Sequence, residues 1–246
     1  MELTTDIALS RLIAQQRALD VTATNLANTG TPGFKAERTV FSDWLSKQTG
    51  TDSPRGDGTV AFMQDRATYR DQQAGPLQHT GNPLDLAVSG NGFFTVDGPR
   101  GPRLTRAGHF TPLPDGRLGD VDGNALLDRA GQPIRLSAAD SIITVTADGT
   151  VSSQNGRLGQ IGLVQPDDPN RMTAEGARTL RADGPTTPVA SPQLVQGAVE
   201  DSNVQPVTEM TRMMTDLREF QFTTQFVQAE SDRRQSAIDK LMQIRT

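Results

Sequence analysis

The C-terminal stretch Val207–Thr246, VTEMTRMMTDLREFQFTTQFVQAESDRRQSAIDKLMQIRT, contains neither glycine nor proline. It follows Pro206, and proline is a favoured residue in the first turn of a helix. Residues at alternating steps of four and three form a seam: Met213, Leu217, Phe220, Thr224, Val227, Ser231, Arg234, Ile238 and Leu241. This spacing predicts one long helix whose seam is apolar at both ends and polar in the middle.

The polar middle of this seam leaves two interpretations open. A dimeric coiled coil favours apolar residues where Thr224, Ser231 and Arg234 stand, so the helix is expected to contact several neighbours. Alternatively, it pairs with one other helix of the chain and is otherwise exposed to water.

A second helix is predicted at the N-terminal end, because Met1–Thr29 also lacks glycine and proline. Its seam follows the same steps: Ala8, Leu12, Gln15, Leu19, Thr22 and Leu26. Asn28, Gly30 and the Pro32-Gly33 pair make continuation past about residue 29 unfavourable. Both helices lead into the same central segment, so the simplest compact arrangement places them antiparallel, side by side.

The segment between about residues 80 and 195 has short apolar runs separated by turn pairs. The turn pairs are Asp97-Gly98, Asp115-Gly116, Asp122-Gly123, Asp148-Gly149 and Asn155-Gly156. The apolar runs include Phe93–Val96, Ile142–Val145 and Ile161–Val164. Too few residues separate the runs for crossover helices, so the pattern predicts antiparallel strands.

The predicted fold is therefore α+β, with an antiparallel, coiled-coil-like pair of terminal helices and an all-β antiparallel central domain. The expected divisions are the N-terminal helix in 1–34, an extended or loop connector in 35–78, the β-rich domain in 79–197 and the C-terminal helix in 198–246. Within the connector, residues 47–60 are polar and rich in glycine and proline, which predicts a flexible loop.

Composition argues against one dense core. Hydrophobic residues make up 35% of the chain and aromatic residues 4%, whereas globular domains are about 45–50% apolar when glycine is included. A chain of this kind is expected to bury apolar surface against copies or partners. The net charge of −5 and the lack of a basic cluster argue against nucleic acid as a partner. The acidic start, with Glu2 and Asp6, does not resemble a secretory signal.

The motifs of catalytic and cofactor sites are missing or incomplete. The chain has no cysteine, and its two histidines, His79 and His109, lie apart in the sequence. Asp120–Asn124 resembles the start of a calcium loop but lacks its later glycine and glutamate, so it is interpreted as a turn. Gly90-Asn91-Gly92 leads into a strand rather than a helix, which favours a tight turn over a dinucleotide site. We expect no enzyme activity, cofactor, metal or small-molecule substrate.

Three segments together resemble the flagellar rod and hook protein family, in family order and over essentially the whole chain. The first is NLANTGTPGFK (25–35), the second combines LDLAV (84–88), GNGFF (90–94) and TRAGHF (105–110), and the third runs from Gln196 through Glu200 to Met210. The residues that carry the signature most clearly are Asn25, Asn28, Pro32, Gly33, Phe34, Gly90, Gly92, Phe93, Ser202 and Asn203.

The resemblance implies a structural subunit of the rod, the shaft that crosses the periplasm in the flagellar basal body and transmits torque. The terminal helices would be of the D0 type and would pack into an inner tube. Their interface residues would be Ala8, Leu12, Leu19, Leu26, Met213, Leu217, Phe220, Val227, Ile238 and Leu241. Implied partners are copies of the chain, C-type and G-type rod proteins, and the flagellar type III export apparatus.

Within this family, chain length and the tail segment LREFQF (217–222) favour the proximal-rod type over the distal-rod type. The sequence also leaves two other hypotheses open. A secreted binding module on a coiled-coil stalk would share the same layout, and it would carry its activity in the β domain. A cell-wall hydrolase would need a pair of catalytic carboxylates, for which the sequence offers no support.

Overall fold

The computed structural model describes residues 2–48, 58–176 and 178–243. The chain divides into two compact units. The helical unit comprises Met1–Leu26, Glu37–Tyr69 and Pro206–Thr246, and the β unit comprises Ala27–Ala36 and Arg70–Gln205. The chain thus passes between the units at four points, near residues 26, 36, 69 and 205.

In the residues that the structure describes, the helical unit has two helices and two strands. Helix α1 spans Glu2–Ala27, and helix α2 spans Pro206–Gln243. Strands β1 (Glu37–Gln48) and β2 (Gly58–Arg70) form a two-stranded sheet. Most of the flexible loop predicted for residues 47–60 lies outside the described residues. None of the described helices is long and apolar enough to cross a membrane.

The two helices pack against each other in antiparallel orientation. Near the end of α1, Asn25 contacts Glu209 in the first turns of α2, whereas Gln15 in mid-helix contacts Glu219. Residue numbers along α1 therefore decrease as the residue numbers of their contacts along α2 increase. This arrangement confirms the predicted helix pair, and the helix ends at Ala27 and Pro206 agree with the glycine and proline signals.

The β unit consists of short strands. In chain order they are β3 (Leu77–His79), β4 (Leu86–Val88), β5 (Phe93–Gly98), β6 (Gly101–Thr105), β7 (Thr111–Pro112), β8 (Leu118–Gly119), β9 (Ala125–Leu126), β10 (Ile143–Val145), β11 (Thr150–Ser153), β12 (Gly156–Gln160), β13 (Leu163–Pro166), β14 (Met172–Ala174), β15 (Thr179–Ala182), β16 (Thr186–Pro188), β17 (Leu194–Gln196) and β18 (Ala198–Glu200).

Every pairing between strands of the β unit that the structure describes is antiparallel, as predicted. The largest sheet has the path β14-β15-β6-β5-β9-β8-β7, with β13 and β16 joined to it through β5. Strands β10, β11 and β12 form a second sheet, while β17 pairs with β4 and β18 with β3. The predicted turn pairs lie at the strand junctions, for example Asp148-Gly149 between β10 and β11.

Strand β5 organises the core because it buries side chains on both of its faces. Phe94 and Val96 lie in the main hydrophobic cluster, and Phe93 lies in a smaller one with Leu104 and Met172. The Phe94 ring meets Phe110 edge to face, with centroids 5.2 Å apart. Aromatic pairs favour this geometry because the edge of one ring carries partial positive charge.

Some observed boundaries differ from the expected divisions. Residues 198–200 form strand β18 rather than helix, because they pair with β3 and are fully buried. Strand β13 begins at Leu163 instead of Ile161, since Ile161 makes only an isolated bridge with Asp128. The expected connector at 35–78 contains the long strands β1 and β2 as well as β3.

Substitution of Gly108 tests the close packing of the β unit. A Cβ atom at this position would lie 1.6 Å from the backbone oxygen of Leu86, whose amide donates to the Gly108 carbonyl. We expect Gly108→Ala to lower the free energy of unfolding of the β unit by about 3 kcal/mol or more. Thermal unfolding followed by circular dichroism would measure the change.

Gly184→Ala is the matched control, because a Cβ atom at Gly184 meets nothing within 4 Å. It should unfold like the unchanged chain. Equal effects of the two substitutions would contradict the packing described for Gly108.

Candidate functional site

The most unusual feature of the β unit is a buried ionic cluster centred on Glu200. The Lys35 Nζ atom donates to Glu200 Oε1 at 2.5 Å, and the Arg106 Nη1 atom donates to Glu200 Oε2 at 2.9 Å. All three side chains are almost completely buried. A carboxylate in such a position is stable only when charge partners and hydrogen bonds replace its hydration.

Backbone groups satisfy much of the remaining hydrogen-bonding capacity of the cluster. The Gly75 amide donates to Glu200 Oε1 at 3.0 Å, and Lys35 Nζ also donates to the carbonyl of Gln73. Arg106 Nη2 donates to the carbonyl of Gly90 at 2.6 Å. The Arg106 guanidinium also lies 5.3 Å from the centre of the Phe93 ring, within the range of a cation–π contact.

Burial lowers the pKa of both Lys35 and Arg106, because desolvation disfavours their charged forms. In each case the charge and hydrogen bond of Glu200 oppose this effect. One carboxylate, that of Glu200, therefore stabilises two buried cations. Loss of Glu200 would leave both cations without this compensation.

The cluster brings the three sequence signatures together. Lys35 belongs to the N-terminal signature, Arg106 to the central one and Glu200 to the C-terminal one. The Gly33 amide donates to the Glu200 carbonyl at 2.7 Å. Gly33 has φ of 73°, and a Cβ atom there would lie 2.4 Å from the Arg106 carbonyl carbon, so glycine is required by both conformation and space.

Asn203 joins the chain segments that flank the cluster. Its Oδ1 atom accepts a hydrogen bond from the Ala36 amide at 2.7 Å. Its Nδ2 atom donates to the carbonyls of Asp71 and Gln73. Ser202 supports the same segment by accepting a hydrogen bond from the Val204 amide on its hydroxyl. Signature residues Ser202 and Asn203 therefore fix the chain just before α2 begins.

The other signature residues have more local positions. Asn28 accepts a hydrogen bond from the Thr31 hydroxyl in the turn after α1, which leads through Pro32 to the partly buried Phe34. Gly90 and Gly92 shape the bend between β4 and β5.

Asn25 has a separate role in the helical unit, where it is fully buried near the end of α1. Its side chain exchanges two 2.8 Å hydrogen bonds with the backbone of Glu37, as donor to the carbonyl and acceptor from the amide. Its Nδ2 atom also lies 3.4 Å from Glu209 Oε2, and Arg38 donates to the other oxygen of Glu209 at 2.7 Å. Asn25 thus links α1, β1 and α2.

The predicted helical seams are only partly covered by the helix pair. On α1, Ala8 is buried, and Leu12, Leu19 and Leu26 are partly buried. On α2, the partly buried positions are Met213, Phe220 and Val227, while Leu217 and Ile238 are 42% and 51% exposed. The side chain of Leu241 lies outside the described part of the structure. One side of the α2 seam faces α1, and its other side faces water.

Further exposed apolar side chains widen this uncovered surface. They are Leu9 and Ile13 on α1 and Val207, Met210, Met214, Phe222, Phe226 and Met242 on α2. Single exposed apolar residues are ordinary, but a series along one helix pair is typical of an interaction surface. Among the described residues, no group of three acidic or histidine side chains is arranged to hold a metal ion.

Sequence reasoning did not single out Lys35, Arg106 and Glu200 as site residues, although all three lie within the quoted signatures. Each signature contains a charged side chain, but Asp85 in the second and Asp201 and Glu209 in the third are charged as well, so the sequence alone did not single out the cluster. His109 is a second omission, because its Nδ1 atom lies 2.6 Å from the buried carboxylate of Asp85.

Substitution of Glu200 tests the buried cluster. We expect Glu200→Gln to lower the free energy of unfolding of the β unit by about 3–5 kcal/mol, because Lys35 and Arg106 lose the charge that balances them. Urea denaturation of the full chain would measure this loss.

Asp183→Asn is the comparison, since Asp183 forms an ion pair with Arg181 at an exposed position. Its effect should be much smaller, because water screens and replaces exposed ion pairs. The account of the cluster would be wrong if Glu200→Gln were as harmless as Asp183→Asn.

Comparison with known protein families matches three parts of the chain. Residues 6–35 match "Flagella basal body rod protein", residues 87–153 match "Flagellar hook protein FlgE/F/G D1 domain", and residues 195–240 match "Flagellar basal body rod FlgEFG protein C-terminal". Each matched range contains one member of the Glu200 cluster.

Individual relatives align over nearly the full length. The chain is 36% identical to the flagellar basal-body rod protein FlgF of Caulobacter vibrioides, over 97% of each chain. It is 34% identical to FlgF of Mesorhizobium japonicum, over 96% of each. The similarity to the rod protein FlgG of Bacillus subtilis is lower, with 30% identity over 86% of this chain and 89% of that protein. The chain therefore belongs to the flagellar basal-body rod protein family, and within it to the FlgF branch.

Proposed function

We propose that the chain is a structural subunit of the proximal rod, which polymerises through its terminal helices into the shaft that transmits torque. In this role it lies in the part of the basal body that spans the periplasm. Its neighbours are copies of itself and other rod proteins, C-type on the proximal side and G-type on the distal side. The role requires no catalysis, and the subunit reaches its place through the flagellar type III export apparatus.

The apolar surface of the helix pair is the main support for this proposal. Among the side chains that the structure describes on α1 and α2, ten large apolar ones are at least 42% exposed: Leu9, Ile13, Val207, Met210, Met214, Leu217, Phe222, Phe226, Ile238 and Met242. Covering the exposed half of each would contribute about 1 kcal/mol. Their sum is comparable to the free-energy cost of bringing subunits together, which is about 4–15 kcal/mol.

The shape of this exposed surface favours several neighbours over a single one. Exposed apolar residues occur on more than one side of α2, since Leu217 and Phe226 are separated by about 180° around a helix axis. A single partner helix would cover only one stripe. Packing among several helices, as in the wall of a tube, would cover both sides.

Leu217 provides a test because its side chain is 42% exposed. We expect Leu217→Asp to change the stability of the isolated chain by about 1 kcal/mol or less. The same substitution places a charge within the subunit contact, so it should block rod completion and motility. Circular dichroism of the purified chain and swimming assays of complemented cells would measure the two effects.

Leu217→Met is the matched control, because it keeps an apolar side chain of similar size and similar helix propensity at the same position. Cells carrying it should swim normally. Motile cells with complete rods built from the Leu217→Asp chain would refute assembly through this face of α2.

A further inference from the structure

An open apolar groove lies between α1 and α2. It has a volume of about 530 Å³, and its lining includes Ala8 from α1 and Phe222 and Phe226 from α2. The two phenylalanines are 71% and 56% exposed, so the helix pair does not fill the groove by itself. Arg11 and Glu219 add one charge of each sign to its lining.

Next to this groove, the interface between the helices contains polar atoms that lack donors. Gln15 is only 8% exposed, and neither its Oε1 atom nor the buried Oδ2 atom of Asp216 has a hydrogen-bond partner in the described part of the chain. The Gln15 Nε2 atom is 3.5 Å from Glu219 Oε2, at the limit of a hydrogen bond. Buried acceptors without donors are costly, so the site favours a group that supplies N–H donors.

The charge of this region favours a cation. Burial raises the pKa of Asp216, and the nearby charge of Glu219 raises it further, whereas Arg212 has the opposite effect. Arg11 is the cation within the groove itself, and Thr22 of α1 faces Asp216. A guanidinium group would serve this place well, because it carries a permanent positive charge and five N–H donors in one plane.

The outer face of α2 presents such a group. Arg218 makes no hydrogen bond or ion pair with any residue that the structure describes, and it lies on α2 beside the exposed side chains of Met214 and Leu217. Arg218 and Asp216 are about 200° apart around the helix axis, at about 100° per residue. On the same helix, Asp216 therefore lies nearly opposite Arg218, and Glu219 lies about 100° away from it.

We propose that a second copy of this chain docks the outer face of its α2 into the α1–α2 groove, where its Arg218 binds Asp216 and Glu219. Met214 and Leu217 of that copy cover Phe222 and Phe226. The donor and acceptor faces are different surfaces, so the contact is heterologous and can repeat from copy to copy, unlike a two-fold dimer contact. The inference rests on the proposed assembly function and specifies which faces of two copies meet.

Disulfide trapping tests this contact, since the natural chain has no cysteine to interfere. Cells would produce two distinguishable full-length copies, one with Leu217→Cys and one with Phe226→Cys, and their basal bodies would be oxidised. The expected result is a disulfide between the two copies. Pairing Leu217→Cys with Gln235→Cys is the control, and it should give little cross-linking because Gln235 lies outside the groove.

A second test keeps the natural groove and changes only its charges. Arg218→Glu should reduce the incorporation of the chain into basal bodies by about tenfold or more, because it places like charges together. Adding Glu219→Arg in the same chain should restore a measurable part of that loss. Arg233→Glu makes the same change of charge outside the groove, and incorporation should remain within about twofold.

The outcomes separate this contact from the broader function. Complete, functional rods that contain both cysteine variants but no disulfide between copies would overturn the proposed contact while leaving the rod function intact. Equal cross-linking by Gln235→Cys, or equal losses for Arg218→Glu and Arg233→Glu, would also overturn it. Failure of the proposed function itself would appear as normal motility in cells that carry Leu217→Asp.

Discussion

The buried carboxylate of Glu200, held between Lys35 and Arg106, is the constraint on which the β unit depends. Lys35 lies just before the chain enters β1, and Glu200 lies a few residues before α2 begins. Arg106 follows directly after β6 in the large sheet. A buried ion is stable only when an opposite charge lies beside it. Each of these three side chains can therefore be buried favourably only when the distant segments that carry the other charges are also in place.

The helical unit differs from the β unit in how it is stabilised. Two amphipathic helices have too little shared surface to bury all of their apolar residues, so each keeps exposed side chains such as Ile13 and Met214. Their interface is also partly polar, with Asn25 and Glu209 fully buried at one end and Gln15 in the middle. In an isolated chain this pairing contributes limited stability, whereas in a rod the same surfaces would be covered by neighbouring helices. The low apolar content of the chain agrees with helices whose surfaces are covered by neighbouring helices in the rod.

The features predicted correctly from sequence were those with local causes. Pairs such as Asp148-Gly149 create turns through their own backbone preferences, and the absence of glycine and proline between residues 207 and 243 permits one helix. The Glu200 cluster could not be predicted in this way, because its ion pairs join residues 165 and 94 positions apart. The seam on α2 was predicted as one surface, but whether Met213 or Leu217 faces α1 depends on the rotation of one helix against the other. Strand β18 was assigned to the helical segment because its pairing partner, β3, lies far away in the sequence.

We expect α1 and α2 to complete their packing only in the assembled rod, whereas the β unit is already stable in the single chain. Amide hydrogen exchange on the dilute chain and on isolated basal bodies tests this expectation most directly. We expect fast exchange in α1 and α2 of the dilute chain, slow exchange in strands such as β5, and strong protection of both helices after assembly. Full protection of both helices in the dilute chain, with no further change in the rod, would contradict it.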